Sequence, residues 1–319
     1  MNSSKAFVLA VVVPCYNEEL VLPETIKRFS QIFDKLIDKG LISKDSYILF
    51  VDDGSTDNSW QIIKKSAHES SFIKGVKLSK NQGHQNALLA GMNEVVNRCD
   101  CMISIDADLQ QDPNAMEDML LKFKEGYEVV LGVRDSRDTD SFFKKFTALG
   151  YYKLMQLMGV DVETNHADYR LLSNRALQYF LSFKEKNIFI RGMVKLIGLK
   201  STKVTFKNAD RFAGESKYPL KKMLKFAWDG ITSFSLVPLK VITFTGFVIF
   251  IVSLILSLYV FYSVFISQTA VPGWASTVLP MYFLGGIELL ALGVIGEYIG
   301  KIYTEVKNRP LYFIEERVG

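Results

Sequence analysis

Two carboxylates separated by one residue, Asp106 and Asp108, follow the apolar run Ile103-Ser104-Ile105 and precede Leu109 and Gln110. A short apolar run of this kind reads as a buried strand. Open α/β sheets bind their ligands beyond the carboxyl ends of the strands. Carboxylates placed there suit a hard divalent cation, Mg²⁺ or Mn²⁺, which in turn holds phosphate oxygens. Such a segment points to nucleoside diphosphate chemistry. Asp-x-Asp alone occurs in many surface loops, and two upstream strand ends give it weight. Phe7 to Val13 is an apolar run closed by Pro14-Cys15-Tyr16-Asn17-Glu18-Glu19, and Tyr47 to Val51 is closed by Asp52-Asp53-Gly54-Ser55-Thr56-Asp57. Ser55, Thr56 or Asp57 is placed to cap a following helix, but capping does not explain carboxylates directly at the strand end.

Elements that would position these groups follow from periodicity. Leu22, Ile26, Phe29, Ile32, Phe33 and Leu36 recur at helical spacing, and Trp60 and Ile63 begin another such run. Strands alternating with helices imply βαβ units, hence an α/β fold with a mostly parallel sheet. The three acid-rich loops would then converge on one edge of that sheet.

The chain has 319 residues and a formal net charge of +4, and its apolar residues are unevenly placed. Ile242 to Ser267 holds no charged residue, and Ala275 to Gly296 holds only Glu288. Both stretches are long enough for a bilayer core of about 30 Å. Lys217, Lys221, Lys222, Lys225 and Lys240 precede them, Lys301, Lys307, Arg309 and Arg317 follow, and the loop Gln268 to Trp274 has no Lys or Arg. The positive-inside rule then puts both termini in the cytoplasm, with a two-helix hairpin in the cell membrane. The expected organisation is a cytoplasmic catalytic domain over 1–215, an interfacial amphipathic region over 216–240, a transmembrane hairpin over 241–300 and a cytoplasmic tail over 301–319. Leu220, Met223, Leu224, Ala227, Trp228, Ile231 and Phe234 form the apolar stripe of the interfacial helix. The stretch Phe142 to Met158 has a similar character. Cys15, Cys99 and Cys101 lack zinc spacing and suit a reducing compartment. The mild basic cluster suits anionic lipid better than nucleic acid, for which no motif is present.

Pro14-Cys15-Tyr16-Asn17-Glu18-Glu19, Asp52-Asp53-Gly54-Ser55-Thr56-Asp57 and Asp106-Ala107-Asp108-Leu109-Gln110-Gln111-Asp112-Pro113 resemble the motifs of family 2 inverting glycosyltransferases of the GT-A fold. The likeness extends through Ala167-Asp168-Tyr169-Arg170-Leu171-Leu172, Phe189-Ile190-Arg191-Gly192, Gly214-Glu215-Ser216-Lys217-Tyr218-Pro219 and Lys307-Asn308-Arg309-Pro310-Leu311-Tyr312. It is nearest the polyprenyl-phosphate branch, which holds bactoprenol glucosyltransferases and dolichol-phosphate mannose synthases. The resemblance implies a nucleotide-sugar donor. Pro14, Tyr16, Asn17, Glu18, Asp53, Asp106 and His84 would bind it, with Asp106, Asp108 and Gln110 around the metal. Asp108, Asp168 and Arg134 form the candidate catalytic set, and Asp168 occupies a position often assigned a base.

A polyprenyl phosphate acceptor changes that assignment. A phosphate monoester, with its second pKa near 6, is mostly dianionic at neutral pH and needs cations for positioning more than a base. Arg134, Lys144, Lys145, Arg191 and Lys217 are the candidates for holding it, by fork or by point charge. Asp168 is then expected to orient groups near the acceptor rather than abstract a proton. The resulting expectation is transfer of one sugar, from UDP-glucose or UDP-N-acetylglucosamine, to undecaprenyl phosphate on the cytoplasmic face, supplying envelope polysaccharide. The alternatives are GDP-mannose with dolichyl phosphate, and a membrane scaffold with a decayed site. Absence of a Gln-x-x-Arg-Trp motif disfavours the processive polymer synthases. Gly285, Gly286, Gly293 and Gly296 would permit close helix packing and so a homo-oligomer. Glu288 departs from the neutral amide expected in relatives and would face a protein interior.

Overall fold

The computed structural model describes residues 6–135, 166–186, 190–207, 237–265 and 273–319. These form two compact units. The first carries an eight-stranded sheet in the order β7-β5-β6-β4-β1-β2-β3-β8. Its strands are β1 (Leu9–Cys15), β2 (Tyr47–Asp52), β3 (Ile73–Leu78), β4 (Cys101–Ser104), β5 (Val129–Arg134), β6 (His166–Ser173), β7 (Ser201–Phe206) and β8 (Ile314–Val318). β4, β1, β2 and β3 run parallel, β6 is antiparallel to both β4 and β5, and β7 is parallel to β5. This is the mostly parallel, Rossmann-like GT-A arrangement.

Local sequence accounts for the centre. β1 and β2 are buried along their whole length, as expected of parallel strands covered on both faces. The first crossover helix, α1 (Leu22–Asp38), has a proline in its first turn and Glu24 near its positive end. Leu22, Thr25, Phe29, Phe33 and Leu36 turn inward, the spacing of a core-facing stripe. α2 (Ser59–Glu69) and α3 (His84–Val95) make the next two crossovers, and α4 (Ala115–Lys124) packs on the half of the sheet formed by β5, β6 and β7. α3 lies so close to the sheet that a Cβ on Gly91 would stand 2.3 Å from Val12 Cγ1. Two shorter helices follow, α5 (Asn174–Ser182) and α6 (Ile190–Leu196), the former capped by Ser173 Oγ accepting from the Ala176 amide.

The tail expected over 301–319 contributes to the sheet. Its last residues form β8, antiparallel to β3, so 309–319 belong with the first unit. Trp60 Nε1 donates to Glu316 Oε2 at 2.7 Å, and Glu94 takes both Arg317 Nε and Nη2. Five alternating residues are weak strand signal without a partner edge, and β3 supplies that edge.

The second unit contains two long helices, α7 (Val237–Phe265) and α8 (Trp274–Lys307). Among the described residues one segment, Phe283–Lys307, is long and apolar enough to cross a bilayer, and Val237–Ile249 is apolar but shorter. Of the two spans expected, the described residues thus show one qualifying segment. The interfacial stripe from Leu220 to Phe234 and the stretch Phe142 to Met158 lie outside the described residues.

Candidate active site

β4, β1 and β2 are adjacent and parallel, so the loops after them open on the same edge. Strand order reverses between β1 and β4, the switch point at which α/β sheets bind ligands. The first two loops are stapled together. The Asn17 amide donates to Ser55 Oγ at 2.9 Å and Asn17 Oδ1 accepts from the Thr56 amide at 2.9 Å. The Glu18 amide donates to Ser59 Oγ, and Glu19 Oε2 accepts from Asn58 N and Nδ2. Asn17 has φ 53°, a conformation asparagine tolerates better than most residues. Pro14 lies inside β1 in register with Val51, while Tyr16 is exposed at the loop tip.

Asp53 is buried, and its two oxygens accept from the Gln82 amide at 2.7 Å and the Gly83 amide at 2.9 Å. Burial pushes its pKa up against those two hydrogen bonds. Its carboxylate therefore fixes the loop entering α3, a task the sequence did not indicate beside the expected nucleoside contact. Asp52 is fully buried; Oδ2 accepts from the Ser55 amide, and Oδ1 has no partner among the described residues. Gly54 lets the two loops meet. Its φ is +66°, and an added Cβ would fall 2.6 Å from the Lys80 carbonyl carbon.

The loop after β4 is held from three sides. Thr25 Oγ1 donates to the Ala107 carbonyl at 2.7 Å. Asp106 Oδ1 lies 2.9 Å from His84 Nε2, and Asp106 Oδ2 accepts from Gln111 Nε2 at 2.7 Å. The Asp106 amide donates back to Gln111 Oε1. Asp108 is buried and its Oδ1 accepts from the Gln110 amide. Leu109 between them has φ 60°, a strained conformation for a leucine, held by burying the side chain in the core. Burial opposes charge on His84, but the hydrogen bond and charge of Asp106, with Asp168 behind it, raise its pKa to about 8.

Across the β4–β6 pair stands a charged cluster. Asp168 accepts from Arg170 Nη2, from Arg191 Nε at 3.2 Å and from Arg191 Nη2 at 2.8 Å. Burial alone would raise the Asp168 pKa; the Arg191 and Arg170 charges overcome that and hold it well below the usual carboxylate range. Arg134 ends β5, and its Nε is buried without a partner among the described residues. Lys144, Lys145 and Lys217 lie outside the described residues.

His84, Asp106 and Asp108 are thus gathered beside Asp168, Arg170 and Arg191. Gln111, which sequence reading passed over for Gln110, clamps Asp106. Two adjacent glutamines offer no means to choose, and the left-handed turn at Leu109 decides which one reaches back. Among the described residues no group of three His, Cys, Asp or Glu could cage a metal ion. Asp106 and Asp108 instead fit an ion bound through one or two carboxylates plus substrate phosphates.

The profile of Glycosyl transferase family 2 matches residues 10–181. The chain is 49% identical to the uncharacterized glycosyltransferase YkoT of Bacillus subtilis (strain 168), covering 97% of this chain and 91% of that one. It is 33% identical to the prophage bactoprenol glucosyl transferase homolog of Escherichia coli (strain K12), over 96% and 98% of the two chains. It is also 33% identical to the bactoprenol glucosyl transferase of Shigella phage SfII, over 97% of each.

Proposed function

This chain belongs to glycosyl transferase family 2, and from that premise we propose that it transfers a single sugar from a nucleotide donor to a polyprenyl phosphate. The observation that carries this reading is the pairing of opposite charge at one sheet edge. Asp106 and Asp108 stand on one side, and Arg191, with Asp168 and Arg170, on the other. The first side suits a metal–diphosphate and the second an anionic acceptor. Two relatives at 33% identity carry the name bactoprenol glucosyl transferase, which supports the acceptor class.

The donor in this reading is UDP-glucose or UDP-N-acetylglucosamine, and the acceptor undecaprenyl phosphate at the cytoplasmic face. Tyr16, Asn17, Glu18 and Asp53 line the nucleoside end. Asp106, Asp108 and Gln110 would hold Mg²⁺ or Mn²⁺, and a bound ion would supply positive charge against the departing diphosphate. His84 holds Asp106. An oxygen of the lipid phosphate attacks the anomeric carbon in line, and the sugar inverts. α7 and α8 anchor the enzyme as a membrane hairpin, and the small residues of α8 let copies associate.

The test is a donor screen with purified protein, a divalent metal ion and undecaprenyl phosphate, followed by mass spectrometry of the lipid. One sugar added from one UDP donor, and lost in folded Asp108→Ala protein, supports the reading. Transfer only from GDP-mannose would overturn the donor assignment. No transfer from any nucleotide sugar by folded protein would overturn the reaction.

A further inference from the structure

Thr25 lies in α1 and is fully buried. Its Oγ1 donates to the Ala107 carbonyl at 2.7 Å, although the two residues are 82 positions apart. The Val21 carbonyl, one helical turn back, lies 3.1 Å from the same oxygen. A hydroxyl carries one proton. In a helix a threonine can give it to that i−4 carbonyl, yet the shorter contact here is to the loop. Ala107 stands between Asp106 and Asp108 and is itself buried. β4 ends at Ser104, and the Ile105 amide still reaches the Val12 carbonyl of β1. Ala107 lies beyond that ladder, where a buried carbonyl needs another partner.

The same loop is strained. Leu109 holds φ 60° with its side chain in the core, and such a conformation persists only where the surroundings over-determine it. Gln111 clamps Asp106 from within the loop, and the Tyr169 hydroxyl holds its exit by donating to the Asp112 carbonyl at 3.3 Å. Thr25 reaches its centre from another element. That element grows out of the first strand-end loop. The Val21 and Leu22 amides both donate to the Glu18 carbonyl, and the Glu18 amide donates to Ser59 Oγ. Phe29, Phe33 and Leu36 fix the helix on the core. One hydroxyl therefore ties a helix continuous with the proposed nucleoside end to the segment bearing the proposed metal ligands.

Resting on the nucleotide-donor reading above, we propose that Thr25 is a positioning residue for donor binding. By holding the Ala107 carbonyl it sets where Asp106 and Asp108 stand relative to the nucleoside-side loop, and so how a divalent ion and a nucleoside diphosphate are received together. Thr25 acts through the loop and touches neither. Without its hydroxyl the Ala107 carbonyl is left buried and unpaired, and the strained turn at Leu109 loses its hold from α1.

Mn²⁺ binding to the full-length protein in detergent, with UDP present, tests this without turnover; free Mn²⁺ is read from its electron paramagnetic resonance signal. Thr25→Val keeps the shape and removes the donor, and Thr25→Ser keeps the donor. Ser46→Ala is the reference. Ser46 is buried at the opposite end of β1, where its Oγ accepts from the Leu9 amide at 3.0 Å. Thr25→Val should weaken Mn²⁺ binding by about 10-fold or more, the loss expected when an outer-shell partner is removed. Thr25→Ser should keep most of the wild-type affinity. Ser46→Ala should lower the urea midpoint and leave Mn²⁺ affinity unchanged. In steady-state assays Thr25→Val should raise the donor KM and leave the acceptor KM as it was. Wild-type Mn²⁺ affinity in folded Thr25→Val, or an equal loss in Ser46→Ala, would overturn the proposal. If Thr25→Val does not fold, Thr25→Cys, with its weaker donor, is judged by the same two criteria. Failure of both to fold makes Thr25 a folding residue and overturns the proposal as well. Wild-type protein that binds Mn²⁺ with neither UDP nor GDP refutes the metal–diphosphate reading itself, and the inference with it. Wild-type protein that binds Mn²⁺ with UDP but passes no sugar to undecaprenyl phosphate refutes the acceptor reading alone, and the binding data then decide the role of Thr25.

Discussion

Gly54 and Gly40 share one backbone conformation, φ +66°, yet differ in what surrounds them. Nothing lies within 4 Å of a Cβ built on Gly40. One built on Gly54 meets the Lys80 carbonyl carbon at 2.6 Å and the Lys80 Cα and Asn81 nitrogen at 2.8 Å. Alanine at either site bears the left-handed penalty of roughly 1–2 kcal/mol. At Gly54 the obstacle is main chain, which cannot rotate away, so the Lys80–Asn81 backbone must withdraw by about 0.8 Å to reach ordinary contact. That segment leads directly into the Gln82 and Gly83 amides held by Asp53, and into His84 on Asp106. If these groups hold the donor as proposed, a displacement approaching 1 Å there costs about 100-fold in rate. Gly40→Ala should therefore lose roughly 1–2 kcal/mol and keep its turnover. Gly54→Ala should lose a further 1–3 kcal/mol or so and about 100-fold in sugar transfer. Urea titration followed by tryptophan fluorescence reads the first quantity, and glycolipid formation by mass spectrometry reads the second. Equal stability losses for the two variants, with full turnover in Gly54→Ala, would refute the close-approach argument.

The Asp106 clamp can be tested separately. On the reading that Asp106 holds a divalent ion, Gln111→Ala should lower the apparent Mn²⁺ affinity by about 10-fold or more through loss of an outer-shell hydrogen bond, measured as activity against metal concentration. The His84–Asp106 contact predicts a pH dependence of stability. His84 is raised from 6.5 to about 8, so its contribution is fully present below pH 6.5 and is lost as pH rises through 8. With the ring partly exposed, solvent screening leaves about 1 kcal/mol or less, read as the difference between wild type and His84→Gln in urea titrations on either side of that window. Removing residues after Tyr312 deletes β8 and its contacts with Trp60, Lys64, Lys77 and Glu94. The thermal midpoint should fall by about 4 °C or more, and an unchanged midpoint would show that β8 adds no stability.

Sequence alone made the centre of the fold legible. Val11, Val12 and Val13 in β1 and Ile48, Leu49 and Phe50 in β2 are continuous apolar runs, and such runs flanked by helical periodicity have few folded solutions. Acids at Asp52, Asp53, Asp106 and Asp108 marked the site because their chemistry is carried by residue type. The antiparallel β6 was not legible as a strand between β4 and β5, since His166–Ser173 carries Asp168 and Arg170 on one face and pairs only with segments far along the chain. Nor was β8, whose alternating charged residues gain meaning only against Trp60, Lys64 and Glu94.

The division is one of range. Residue type and short spacing determined that this chain builds a mostly parallel α/β sheet with a diphosphate-suited acidic edge, because hydrophobic period and carboxylate chemistry act over a few residues. Tertiary structure alone decided that Gln111 rather than Gln110 grips Asp106, that Asp53 is engaged by the loop before α3, and that Asp168 is shared by Arg170 and Arg191. Each of those pairings depends on a backbone turn or a strand register that brings the charges within hydrogen-bonding distance, where their interaction is steep in separation.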